Sequence, residues 1–280
     1  AMAERAPWLD QYHNGETVTD WEGLEGALSR ALYKGERGKA RNILGHSYKV
    51  NKGESVGIST RILYMAPASL SGINLCPWST PGCVAGCLKY AGQMNCRNQK
   101  IAQLEKSWWF LLYPESFMTR LSYEIERHAK ACARAGMVCA VRLNGTSDIK
   151  WEDTGIIDAH EEVTFYDYTK APLSRRMTAS NFTLTFSASE RVGSVEEAQR
   201  YIDRGQNAAI VVGAIGSTNK NDAKRVAKAI VERGTLFGRP VIDGDETDAR
   251  FLDRKGTFVV LSAKGRGTKD TTGFVHRFAA

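Results

Sequence analysis

From residue 57 onward, short apolar runs alternate with helical patterns, and that rhythm restricts the chain to a small set of folds. Ile62-Leu63-Tyr64-Met65, Val138 to Leu143, Val163 to Tyr168 and Phe182 to Ser187 read as strands. Ala208 to Val212, a run starting at Arg239 to Asp243, and Phe258 to Leu261 continue the series. Trp108 to Ala129 has helical spacing, with Pro114 dividing it into two helices. Ser194-Val195-Glu196-Glu197 has the spacing of a capping box and opens a helix to Arg204. A further helix runs from Asn221 to Arg233 and is ended by Gly234. Strand, helix, strand implies parallel pairing with right-handed crossovers. The expected fold is therefore α/β: a partial or complete TIM-like barrel over residues 57–280, with a doubly wound open sheet as the main alternative. Residues 1–56 read as an N-terminal extension, helical around Trp21, Leu24, Leu28 and Leu32, and basic from Lys34 to Arg41.

The cysteines narrow the chemistry. Cys76, Cys83, Cys87 and Cys96 all follow the first strand. With no N-terminal secretory pattern, a reducing, cytoplasmic compartment is expected, where clustered cysteines point to metal or catalysis before disulfides. The spacing C-x6-C-x3-C-x8-C lacks the paired short knuckles of a four-cysteine zinc site. Iron–sulfur loops are more varied. Cys76, Cys83 and Cys87 are the expected trio of cluster ligands, with Cys96 as a candidate fourth; zinc, or thiols without metal, are the alternatives. Cys132 and Cys139 are expected to be small buried core residues.

In barrels and open α/β sheets, chemistry gathers at the C-terminal ends of the strands. Those ends are polar here. Asn144, Thr146, Asp148, Ser187 and Glu190 are candidates for binding a cosubstrate. Asp167, Lys170, Asp243 and Asp245 are candidates for handling substrate and protons, with Asp248 and Arg250 beside them. Plain structural alternatives exist: a helix cap at Asp148, an Asx turn at Asp243 and Asp245, a packed ring at Tyr166. The chain contains no phosphate-loop, H-E-x-x-H or G-x-S-x-G motif, and its five histidines are scattered. With 38 Lys plus Arg against 31 Asp plus Glu, the formal net charge is +7, which favours an anionic partner such as a nucleotide or nucleic acid. No apolar run approaches the ~20 residues needed to span a bilayer. Oligomeric state is not legible.

Several blocks resemble a family of bacteriophage gene products: Met65 to Ser69, Ser71 to Pro77, Gly82-Cys83, Cys87-Leu88, Ala91-Gly92, Arg142 to Asp148, Phe165 to Lys170, Phe186 to Glu190 and Asp243 to Phe251. The resemblance runs from about residue 57 to the C-terminus. It implies a phage or prophage origin, hence the cytoplasm of an infected bacterium, and brings no reaction with it. More loosely, the chain is similar to radical-SAM enzymes. That likeness implies a partial barrel with a [4Fe–4S] cluster on Cys76, Cys83 and Cys87. It also implies S-adenosylmethionine, its amino group meeting the turn from Asn144 to Asp148. The spacing departs from that family's C-x3-C-x2-C. A second likeness, to base-exchanging transglycosylases that insert deazaguanines into tRNA or phage DNA, implies zinc and catalytic aspartates at strand ends. The expected function is thus an iron–sulfur, radical-SAM-like enzyme that modifies a nucleotide or nucleic acid. The alternatives are a zinc-containing base-modifying transferase and a metal-stapled protein that binds nucleic acid or a host factor without catalysis.

Overall fold

A computed structural model describes residues 42–46, 50, 53–88, 96–176 and 179–279. The expected helix around Trp21 to Leu32 and the basic stretch from Lys34 to Arg41 lie outside the described residues. The strands are β1 (Leu44–Gly45), β2 (Ile58–Leu63), β3 (Val138–Arg142), β4 (Thr164–Thr169), β5 (Phe182–Ser187), β6 (Asn207–Ala214), β7 (Thr235–Leu236), β8 (Arg239–Asp243), β9 (Phe258–Ser262) and β10 (His276–Phe278). The helices are α1 (Pro81–Ala85), α2 (Arg97–Leu112), α3 (Pro114–Ala135), α4 (Ser194–Asp203) and α5 (Lys220–Arg233). None is long and apolar enough to cross a membrane. The described chain forms two compact units: residues 42–77, 96–165 and 179–182 in the first, residues 78–88, 166–176 and 183–279 in the second.

In the first unit, β2 and β3 pair in parallel from Ile58 opposite Val138 to Ile62 opposite Arg142. β3 continues the ladder in parallel to the start of β4, with Val141 opposite Phe165. β1 lies antiparallel on the other edge of β2. The carboxylate of Glu124 on α3 holds that short strand, accepting the N–H groups of Ile43 and Leu44 at 2.9 Å each. Pro114 separates α2 from α3, as its missing N–H and fixed φ require at a first helical position. Gly136, at φ 64°, ends α3 in the left-handed conformation that glycine adopts most cheaply. Phe117, Leu121 and Ile125 form the buried stripe of α3. Phe117 meets Trp109 and Phe110 edge-on, with ring centroids 5.5 and 5.4 Å apart.

In the second unit the strand order is β5-β6-β9-β8-β7. All neighbours are parallel except the terminal pair of β7 with β8. β5 covers the first half of one edge of β6, opposite Asn207 to Ala209, and β10 covers the far end, opposite Val212 to Ala214. α4 and α5 bury Tyr201, Ile202, Val226 and Ile230 against Ile210, Val260 and Phe258.

The expected α/β class with parallel strands holds. A TIM barrel is not confirmed: the two-residue strand β1 edges the sheet of the first unit, and the two-residue strand β7 edges that of the second. Two local readings change as well. Between β3 and β4, and between β4 and β5, the chain makes 3-10 turns instead of crossover helices. At α4 the N-cap is Gly193, without a capping box. Ser194 Oγ accepts the Ser189 N–H and Glu197 Oε1 accepts the Leu173 N–H, so both side chains anchor incoming loops instead.

Candidate functional site

In the first unit, the loops that follow β2 and β3 are stitched together. Gly145 donates its N–H to the Leu63 carbonyl at 3.0 Å. A Cβ at position 145 would lie 2.8 Å from that carbonyl oxygen and 2.6 Å from Ile62, so only glycine permits the approach. Thr146 Oγ1 donates to the Met65 carbonyl, and the Asp148 N–H donates to the Leu75 carbonyl. These contacts fix Cys76. Its Sγ accepts the Ala68 N–H at 3.2 Å and lies 3.6 Å from the Thr146 carbonyl oxygen. The Asn144 amide is committed to its own loop. Its oxygen accepts from Ser147 Oγ, the Ile149 N–H and Trp151 Nε1, and its nitrogen donates to the Ile149 carbonyl. Asn144 thus shapes the turn from within. Asp148 is buried, and Cys96 is the exposed N-cap residue of α2.

In the second unit, Glu190 organises the start of α1. Its carboxylate accepts Thr80 Oγ1 at 2.7 Å and the Gly82 N–H at 2.6 Å, and Thr80 Oγ1 accepts the Cys83 N–H. Position 82 admits no side chain, since a Cβ would fall 2.6 Å from Phe274 Cβ. Cys83 and Cys87 are both half-buried. Beside α1 opens a cleft of about 780 Å³, lined by Ser79, Thr80, Arg266, Lys269, Thr271 and Thr272, among others. Asp270 also borders it, but its carboxylate turns to its own loop, accepting Thr272 Oγ1 and the N–H groups of Thr272, Gly273 and Val275. His276 is held neutral more firmly than an ordinary histidine, because burial outweighs the nearby Asp270 and Glu190 charges.

The remaining candidates of the second unit are spread along its strand ends. Lys170 Nζ donates to Ser187 Oγ at 2.6 Å and sits 5.2 Å from the centre of the Phe274 ring. Asp167 is buried. Asp243 Oδ1 accepts the Asp245 N–H, which makes the Asx turn that is its structural alternative. Asp245 accepts from Ser262 and pairs with Lys264 at 2.5 Å. Burial alone would raise its carboxyl pKa, but those partners bring it below the usual range. Arg250 is fully buried; it pairs with Asp253 at 3.1 Å and donates to the Thr247 carbonyl. Tyr166 is a packed ring, 5.4 Å from Phe251.

One grouping was not foreseen. His128 and Cys132 on α3 and Cys139 on β3, all buried, place their ligand atoms within 4.8 Å of one another, a set able to hold a metal ion. Burial lowers the His128 pKa, and burial together with Cys132 pushes the Cys139 thiol far up. The signal was present as H-x3-C-x6-C. The first pair sits one helical turn apart, and the third residue is the second of the following strand.

No curated protein matches the chain, and no solved structure matches it. The sequence model of a family described as Gene product 88 matches residues 30–277. That span takes in both units and every candidate residue discussed above, and the chain accordingly belongs to the gene product 88 family.

Proposed function

We propose that this protein is an enzyme of radical-SAM type that modifies a nucleotide or nucleic acid, using an iron–sulfur cluster held by Cys76, Cys83 and Cys87, with Cys96 as a fourth candidate ligand. The observation that carries the reading is the cleft beside α1. Two cations, Arg266 and Lys269, share it with the hydroxyls of Ser79, Thr80, Thr271 and Thr272. Cationic and hydroxyl donors are the groups that grip phosphate oxygens. The same short helix that walls the cleft carries Cys83. A phosphate-bearing ligand docked there would lie beside the helix that carries Cys83.

The cysteines suit a cluster chemically. Cys83 lies on α1 and Cys87 just beyond its C-cap Gly86, and both remain partly accessible. The N–H of Ala68 donates to Cys76 Sγ, and N–H donors to sulfur favour the thiolate that a cluster requires. Once bound, such a cluster supplies one-electron chemistry, in this reading directed at S-adenosylmethionine. The chain's own groups then have separable tasks. Glu190 holds α1 in place through Thr80 and Gly82. Lys170 and Asp245, each already engaged with a serine hydroxyl, offer a proton donor and an ionised acceptor at the ends of β4 and β8.

The test is anaerobic purification of the full chain and of Cys83→Ala, with iron, sulfide and zinc counts and an absorption spectrum. Iron and sulfide in the parent, absent from a folded Cys83→Ala protein, are the expected result. A colourless parent whose metal is zinc lost on Cys83→Ala would replace the iron–sulfur reading with the zinc transferase. A parent without iron or sulfide, even after reconstitution, would overturn it.

A further inference from the structure

We propose that His128, Cys132 and Cys139 form a structural zinc site that clamps α3 onto β2 and β3. The three ligand atoms already converge within 4.8 Å. Cys132 Sγ lies 3.7 Å from each ring nitrogen of His128, so binding an ion on one of them needs only a turn of the cysteine side chain. The tautomer is also fixed. His128 Nε2 lies 3.0 Å from the Ser59 carbonyl oxygen, which can only accept, so Nε2 carries the proton and Nδ1 keeps its lone pair. A ligating histidine characteristically donates its other ring N–H to such a carbonyl, and here that bond orients the ring. Two thiolates, a neutral imidazole and a water in the fourth position around a divalent ion sum to zero charge. That neutrality suits a site whose three side chains are all buried, and the soft donors select zinc over magnesium or calcium.

The position argues for a structural role. Ser59 and Cys139 are register partners, each the second residue of its strand. The site therefore sits at the N-terminal ends of β2 and β3, the opposite ends from the loops that hold Cys76 and Asn144. In parallel α/β folds that end serves stability and the other serves chemistry. Zinc would fasten the C-terminal part of α3 to the strands that present those loops.

This proposal is independent of the iron–sulfur reading, and its experiment is built to keep the two apart. The full-length variant Cys76→Ala/Cys83→Ala/Cys87→Ala is purified and its zinc counted. A parallel sample is loaded with cobalt(II) in place of zinc. One zinc per chain and intense thiolate-to-cobalt charge-transfer bands are expected in this triple variant, with a fall in Tm on chelation. Adding Cys132→Ala should abolish both the zinc and the bands. Should that variant fail to fold, the cobalt spectrum of the triple variant decides alone. A triple variant that binds neither zinc nor cobalt would overturn the proposal, as would a Cys132–Cys139 disulfide found in peptides of the native protein. Loss of iron on Cys83→Ala speaks only to the cluster.

Discussion

Asp270 does at one residue what a strand does along its length: it satisfies a row of backbone donors. Burial on its own would push its carboxyl up. The Val275 N–H, the Thr272 hydroxyl and N–H, and the Gly273 N–H outweigh that and hold it below the ordinary carboxylate range. The sign of the linkage follows. A folded pKa below the unfolded value, about 3.9, means the ionised group stabilises the fold above about pH 4 and loses that contribution as pH falls through the folded value. Asp270→Asn should therefore destabilise the protein at neutral pH by about 1–3 kcal/mol, the scale for hydrogen bonds to a charged group. It should also bring the melting curves of parent and variant together in acid. Thermal melts across that range check it, and an unchanged gap at every pH would show that the charge is not what holds the loop. Gly82 is the companion case. A methyl group there meets Thr272 Oγ1 and, at 2.6 Å, Phe274 Cβ, so Gly82→Ala should cost about 1–3 kcal/mol by overpacking and lower Tm.

Among the elements, α5 was legible to within one residue at its start and to its end at Gly234, its cap Asn219 being the part not read. Asn219 caps it, accepting the Asn221 N–H at 2.9 Å, and Gly234 at φ 79° ends it. Both signals are local, as is its buried stripe of Ala223, Val226, Ala227 and Ile230. Asn219→Ala should cost about 0.5–2 kcal/mol, visible as a lower denaturation midpoint with unchanged slope. The strand at Phe182 to Ser187 was legible from its alternation of Phe, Leu and Phe with hydroxyl residues, and that at Ala208 to Val212 because a strand buried on both faces is a continuous apolar run. What escaped depends on distance along the chain. β1 and β10 are two or three residues long and exist because a remote edge is there to pair with. The placing of β9 between β6 and β8 is set by ladder pairing across many residues. The site divides the same way. Polar strand ends were visible as composition. Glu190 bonding the start of α1 across more than a hundred residues was not, nor was the commitment of Asn144 to its own turn. The burial expected of Cys132 and Cys139 holds, but their convergence with His128 is not legible, because a histidine or cysteine alone on an apolar face signifies packing.

At the scale of the whole molecule, the +7 charge makes association with any polyanion salt-dependent but does not say where it happens. The cleft beside α1 makes the location testable. Each phosphate neutralised on a single strand contributes about −0.7 to the slope of log K against log salt. If Arg266 and Lys269 each take one phosphate, Arg266→Ala and Lys269→Ala should each weaken binding of a single-stranded oligonucleotide and make that slope shallower by about that amount. Lys228 is the control. It is exposed on α5, pairs with Glu232 at 3.6 Å and is not among the residues that line the cleft. Lys228→Ala removes the same unit of net charge, so it changes long-range attraction as much as the other two do. A deficit confined to the cleft variants therefore separates contact from bulk charge. Equal slopes in all three variants would mean that the oligonucleotide senses only the overall field. The cleft would then lose its claim on phosphate, and the nucleic-acid reading would rest on the cysteines alone.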